Sequence, residues 1–230
     1  IDITDDLACL GIFGPKSRKL MSSISEDDFS NENFSFGNGK YIQINSKKIW
    51  AQRLSFVGEL GFELYIKSKD AEEIYDLLIY EGRNFNLSRC GAHAMDTMRM
   101  ESGFLHWGHD ISPEENQYQA NLQFAISYKK KFDFIGKKAL IKIRDQKKSK
   151  RLAMFTLKKS IPGHPLLLHD EPIYLDNVII GRSTSGNYSF NYRKNLSFAY
   201  IDTKIPNDQL TNKNLYIEVQ KEKYLLNIEL

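Results

Sequence analysis

Residues 147–157 read Lys-Lys-Ser-Lys-Arg-Leu-Ala-Met-Phe-Thr-Leu, and the pattern of the chain changes across them. The basic run Lys147-Lys148-Ser149-Lys150-Arg151 has the composition of a solvated linker. After it the hydrophobic runs are short and strand-like: Arg151 to Leu157, Ile173 to Tyr174, Val178 to Arg182, Leu196 to Ile201, Leu215 to Val219 and Tyr224 to Ile228. Turn-forming residues separate them at short intervals, the signature of a small β-barrel or sandwich. Before it, strand and helix periodicities mix. The reading is an α+β region over 1–149 followed by an all-β domain over 150–230.

Working back toward the N-terminus, a helix is expected just after Gly136, carrying Ala139, Leu140 and Ile143, and another over Gly91 to Glu101 with Ala92, Met95 and Met98 as its apolar positions. Ala71, Ile74, Tyr75, Leu77 and Leu78 recur at helical spacing behind a capping Asp70. Strands are expected over Leu7 to Phe13, Trp50 to Phe56 and Phe62 to Ile66. In the last of these, Phe62, Leu64 and Ile66 share one face and Glu63 and Tyr65 the other. Phe34 to Ile44 reads as a hairpin turning at Gly37-Asn38-Gly39. A helix is expected behind Gly14-Pro15.

The 230 residues, 41% of them hydrophobic, suffice for one large or two small cores. No apolar run approaches the roughly 20 residues of a membrane span. The net charge of +3 is spread out, with no basic–aromatic platform for nucleic acid. The start Ile1-Asp2-Ile3-Thr4-Asp5-Asp6 has neither an initiator Met nor the basic-then-apolar form of a signal peptide. A C-terminal piece of a longer cytoplasmic protein is expected, without membrane or nucleic-acid partners. Cys9 and Cys90, far apart and outside any zinc spacing, are expected to be reduced, partly buried thiols.

Motifs of serine hydrolases, P-loop NTPases, zincins and dinucleotide-binding folds are absent from the sequence. Three constellations remain. Phe56-Val57-Gly58-Glu59-Leu60-Gly61-Phe62-Glu63 is either a plain turn with solvated acids or a loop delivering Glu63 on a strand. There its carboxylate would accept two parallel hydrogen bonds from an amidine-like edge, such as N3–H and the 2-amino group of a pterin. Asp96 and Arg99, three apart on a helix, form either a surface ion pair or, with Glu101, the lip of a cleft. In His106-Trp107-Gly108-His109-Asp110 the glycine and the lack of further ligands argue against a metal site, and none is expected. Trp107 fits better as a wall on which a flat ring stacks.

These stretches stand in collinear order with Ile12-Phe13-Gly14-Pro15, Asp133-Phe134-Ile135-Gly136-Lys137-Lys138-Ala139-Leu140 and Gly181-Arg182-Ser183-Thr184-Ser185-Gly186-Asn187-Tyr188-Ser189. Together they resemble the glycine-cleavage T-protein (aminomethyltransferase) family over essentially the whole chain. The Trp-Gly-His-Asp variant and Met95, where T-proteins carry Arg, look more like the folate region of sarcosine and dimethylglycine dehydrogenases. The resemblance implies an α+β, T-protein-like fold: an incomplete folate-binding domain and a small C-terminal β-barrel. It implies tetrahydrofolate as cofactor, an N-methyl amine as substrate, and an FAD-dependent dehydrogenase domain in cis or trans that oxidises the amine. The folate region then captures the one-carbon unit as 5,10-methylenetetrahydrofolate. By resemblance Glu63 grips the pterin, Phe56 stands where a tyrosine lines the pocket, and Arg99 and Trp107 line the same cavity.

The departures carry their own expectations. Family members have a further stretch before the Gly-Pro segment, including the aspartate held to be the acid/base near folate N5. No residue of this chain is assigned that role, and activity is expected only with that stretch. Val57 replaces a threonine, and Gln119 stands where the family carries glutamate. A folate-binding scaffold without catalysis, or a folate-dependent sulfonium demethylase, are the alternatives these departures leave open.

Overall fold

The computed structural model describes residues 1–212 and 214–229. Contacts divide the chain into two compact units, Ile1–Met95 and Asp96–Leu230.

The first unit is a four-stranded antiparallel sheet in the order β1 (Leu7–Phe13), β4 (Gly61–Lys67), β3 (Lys47–Gln52), β2 (Gly39–Ile44). Strand alternation sorts the side chains. Phe62, Leu64 and Ile66 of β4, Ile49 and Ala51 of β3, and Ile42 and Ile44 of β2 turn inward and are almost wholly buried. Leu20 and Met21 of α1 (Ser17–Ile24) and Ile74 and Leu78 of α2 (Ala71–Gly82) complete this core. Phe29, Phe34 and Phe62 pack as a ring cluster with centroids 5.4–6.0 Å apart. The opposite face keeps Glu63, Tyr65, Trp50, Gln52 and Phe13 half-buried.

The hairpin expected over 34–44 is displaced: it joins β2 to β3, with Ile44 opposite Lys47. Asn45 and Ser46 both adopt positive φ (47° and 63°), as a two-residue turn matched to strand twist requires, so these residues and not the glycines make the reversal. Phe34 instead leaves the strand pattern to enter the core, at 1% exposure. The strand expected over 50–56 is β3, ending at Gln52, and Phe56 lies in the loop before β4. Asp70 does precede α2, but its carboxylate makes no cap; it pairs with Lys47 Nζ at 3.0 Å. Cys9 and Cys90 are free and both are exposed by surface area, although the Cys9 thiol is partly shielded on the sheet face it shares with Tyr65.

The helix α3 (Ala92–Glu101) crosses the division between units. Its buried residues are Thr97, Arg99 and Met100, not the expected Ala92, Met95 and Met98. Periodicity misplaced this face because its largest buried side chain is charged. In the second unit α4 (Lys137–Arg144) precedes a closed barrel. Around the barrel run β10 (Glu222–Glu229), β5 (Lys150–Leu157), β8 (Lys194–Asp202), β7 (Val178–Ser189), β6 (Pro172–Leu175) and β9 (Leu215–Val219). Phe155, Ile173, Ala199, Ile201 and Ile217, each fully buried, fill its interior. The change of composition at 147–150 falls at the start of β5, inside this unit.

The barrel has an irregularity where β7 meets β8. The register shifts between Ser183 and Ser185, so that Ser183 pairs with Ala199 and Ser185 with Phe198. Regular pleating sends neighbouring side chains to opposite faces, and a bulge re-aims them. Thr184 and Ser185 consequently reach the same acceptor, the carboxylate of Asp110.

Candidate functional site

On the half-buried face of the first sheet, β4 presents Glu63 and Tyr65, two residues apart. The Tyr65 hydroxyl donates to Glu63 Oε2 at 2.9 Å. That bond, and burial after it, push the Tyr65 phenol up to about 12, so it stays a neutral donor at physiological pH. Burial, and then the Glu63 charge, push up the thiol of Cys9, which lies opposite Tyr65 on β1.

Glu63 stands between Gly11 of β1 and Gln52 of β3 in the ladder. A Cβ at Gly11 would come within 2.5 Å of the Phe13 ring, and one at Gly61 within 2.2 Å. The ring therefore lies down over both glycines, on the same sheet face as Glu63, whose ladder partner is Gly11. Each carboxylate oxygen accepts from more than one donor, so the Tyr65 bond leaves Glu63 able to receive a pair of N–H groups. Phe56 is half-buried in the loop preceding β4, next to the fully enclosed Val57.

Arg99 is 1% exposed, and its guanidinium is fully engaged within the second unit. Nε donates to Asp96 Oδ1 at 2.7 Å, Nη1 to the Phe104 carbonyl at 3.1 Å and to Asp110, and Nη2 to Ser185 Oγ at 2.8 Å. Asp110, equally enclosed, accepts from Thr184 Oγ1 at 2.6 Å, Ser185 Oγ at 2.7 Å and the His106 amide at 2.9 Å. The Asp96 pair expected from the i, i+3 spacing is made, but Arg99 itself is enclosed rather than at the surface. It clamps α3, the loop at 104–110 and the β7 bulge together. Glu101 accepts from Ser189 Oγ at 2.5 Å and the Asn191 amide at 3.1 Å, fastening the helix end to the far end of β7.

The clamped loop carries Trp107 outward at 64% exposure. The rings of His106 and His109 lie 4.6 Å apart. Among the described residues no group of three His, Cys, Asp or Glu side chains is placed to hold a metal ion.

A cavity of about 720 Å³ opens beside this clamp, between the 108–115 segment and the barrel, with Asp110 and Thr184 in its lining. Its charges are largely spent on each other: Lys150 pairs with Glu115 at 2.5 Å and Arg182 with Asp170 at 3.0 Å.

Of the residues singled out from sequence, the structure keeps Glu63 and Phe56 in the first unit and Arg99 and Trp107 in the second. Sequence reasoning missed Tyr65 as the partner of Glu63 and Asp110 and Ser185 as partners of Arg99. The first was open to strand alternation. The others join residues up to 86 apart and have no local signal.

Two family models match: the GCVT N-terminal domain over residues 1–130 and the glycine cleavage T-protein C-terminal barrel domain over 150–228. The chain is 38% identical over 201 residues to the 4-methylaminobutanoate oxidase (formaldehyde-forming) of Paenarthrobacter nicotinovorans, covering 87% of this chain and 24% of that one. It is 32% identical over 204 residues to human mitochondrial dimethylglycine dehydrogenase, covering 89% and 23%. It is 32% identical over 203 residues to the aminomethyltransferase of Listeria welshimeri, covering 88% and 53%. The chain therefore spans about a quarter of the oxidase and dehydrogenase relatives and about half of the aminomethyltransferase. The fold matches the crystal structure of the glycine cleavage system aminomethyltransferase T from Bartonella henselae with a TM-score of 0.80 at 21% identity, over 97% of this chain and 58% of that one. With both family models matched in order and the barrel closed as the second describes, the chain belongs to the glycine-cleavage T-protein family.

Proposed function

We propose that this chain is the folate-binding region of an enzyme that transfers a one-carbon unit from an N-methyl amine, such as sarcosine or dimethylglycine, to tetrahydrofolate. The observation that carries this reading is the Glu63 carboxylate, half-exposed on a strand and steadied by Tyr65, on a sheet face that also carries the Phe13 ring. A pterin presents two adjacent N–H donors on one edge and a flat ring behind them. A carboxylate with open lone pairs, on a sheet face that also carries an aromatic ring, offers a partner for each feature. The names of the relatives support the amine: one is a methylaminobutanoate oxidase, others are dimethylglycine and sarcosine dehydrogenases.

When bound, tetrahydrofolate supplies the amine that takes up the one-carbon unit. The chain's own residues bind, orient and shield. Glu63 fixes the pterin edge, and Phe56 lines the ring near it. Trp107 is the second unit's stacking surface, and Arg99 contributes by holding the Trp107 loop in place. Fixing two reactants in one orientation contributes several kcal/mol to such a transfer, and excluding water protects a hydrolysable one-carbon unit. In this reading residues 1–149 are the partial folate-binding region and 150–230 the barrel domain. FAD belongs to a dehydrogenase domain in cis or trans, and the enzyme works in the cytoplasm, although several relatives are mitochondrial. No helix among the described residues is long and apolar enough to cross a membrane.

Calorimetry on the full-length protein tests the assignment. Glu63→Gln should weaken tetrahydrofolate binding about tenfold or more, as loss of a charge-assisted hydrogen-bond pair does. Unchanged affinity would remove the pterin grip from Glu63. Formation of methylenetetrahydrofolate from sarcosine or dimethylglycine is expected; its absence with both amines would sink the substrate class.

A further inference from the structure

We propose that Tyr65 is a positioning residue for ligand binding: its hydroxyl fixes the Glu63 carboxylate in the plane that the ligand's paired donors must meet. The inference rests on the pterin reading of Glu63 and deepens it.

Glu63 has three rotatable side-chain bonds, so the direction of its carboxylate depends on what holds it. Opposite it on β1 stands Gly11, which has no side chain of its own and is covered by the Phe13 ring, a surface that offers no hydrogen bond. On β3 stands Gln52, half-buried like Glu63 itself. Among the hydrogen bonds the described residues show, the Glu63 side chain has one, from Tyr65 at 2.9 Å. Tyr65 is itself well held. It lies between Trp50 on β3 and Cys9 on β1, and its backbone is in the middle of the sheet. A phenol has far fewer rotamers than a glutamate, so the stiffer side chain sets the direction of the more flexible one. The strand period makes this possible, because residues i and i+2 project from the same face. A bidentate grip is sensitive to such control: two parallel N–H···O bonds demand a defined carboxylate plane, where a single bond tolerates rotation. Because the Tyr65 phenol remains protonated through the physiological range, the donor is present whenever the ligand arrives.

The test is a double-mutant cycle on the full-length protein, with tetrahydrofolate as the probe. Tyr65→Phe keeps the ring and removes only the hydroxyl, and a thermal melt checks the fold. Its affinity should fall roughly fivefold, the scale of one hydrogen bond. In a Glu63→Gln background the same change should have little further effect, since Tyr65 acts through Glu63. In turnover, the KM for tetrahydrofolate should rise with kcat held within about twofold, because the lost interaction serves binding in ground and transition states alike. Two results would overturn the inference: Tyr65→Phe binding as tightly as wild type, or weakening binding as much in the Glu63→Gln background as in the wild type. Failure of the underlying reading looks different, since Glu63→Gln itself would then leave affinity unchanged.

Discussion

The guanidinium of Arg99 illustrates how a charge comes to be buried. It is 1% exposed and opposite it Asp110 is equally enclosed, yet every part of the fork meets an oxygen. Such a pair is weak evidence of added stability, but removing one partner strands the other, at a cost of about 3–5 kcal/mol. Arg99→Ala should therefore lower unfolding free energy by about that amount in a denaturant titration; a loss below about 1 kcal/mol would show that Asp110 is solvated or repartnered. The pair of Glu115 with Lys150 makes a pH prediction. Burial raises the Glu115 carboxyl, but the Lys150 and Ser112 bonds outweigh it and hold the group below the ordinary carboxylate value. A depressed folded value means that the bond's contribution is complete above the unfolded value, about 4.3, and is lost as pH falls through the lower folded one. Lys150→Met should thus narrow the stability difference between pH 6 and pH 3, measured by thermal melts. An unchanged difference would mean that the pair carries none of the acid sensitivity. The residue scale is also where the sequence was least legible. Glu63 could be placed on its strand face from alternation alone, whereas the surroundings of Arg99 depend on Ser185, 86 positions away.

At the scale of elements, β1, β4 and the later barrel strands were readable because their apolar residues alternate or run together between turn formers. What misled was local signal of the wrong kind. Gly37-Asn38-Gly39 looks like a hairpin turn, yet the reversal is made by Asn45 and Ser46, whose positive φ no pattern of hydrophobicity announces. On α3 the buried face is led by an arginine, which periodicity counts as surface. The strand β7 was expected to stop at Arg182 and continues to Ser189 through a bulge, since its second half is polar and reads as loop. Close approach within the barrel gives a further prediction. A Cβ at Gly181 would lie 2.0 Å from the Tyr200 carbonyl oxygen of β8, which is backbone and cannot step aside. Gly181→Ala should force the β7–β8 pair apart and cost more than about 2 kcal/mol, in line with overpacking in a closed structure. A melting temperature within about 1 °C of wild type, where 1 kcal/mol moves a domain of this size by several degrees, would contradict that approach.

For the molecule as a whole, the two large cores have no residue in common: the sheet and its helices enclose one, the barrel the other. Phe62→Ala should cost about 3–5 kcal/mol and show in hydrogen exchange as lost protection over β1–β4. Protection of β5–β10 is expected to hold, and equal loss there would mean that the cores open together. The barrel and the α+β order were legible as a whole because they follow from the succession of elements, while the clamp inside the second unit follows from a path the chain takes only after folding. That clamp also sets a schedule for synthesis. Arg99 leaves the ribosome long before Ser185, and at ~5–20 residues per second the wait lasts many seconds. Until then the end of α3 holds a cation with its barrel partner still unmade. The nascent chain must keep that helix hydrated or guarded until the second half of β7 arrives, so the clamp of the second unit closes only after Ser185 has been made.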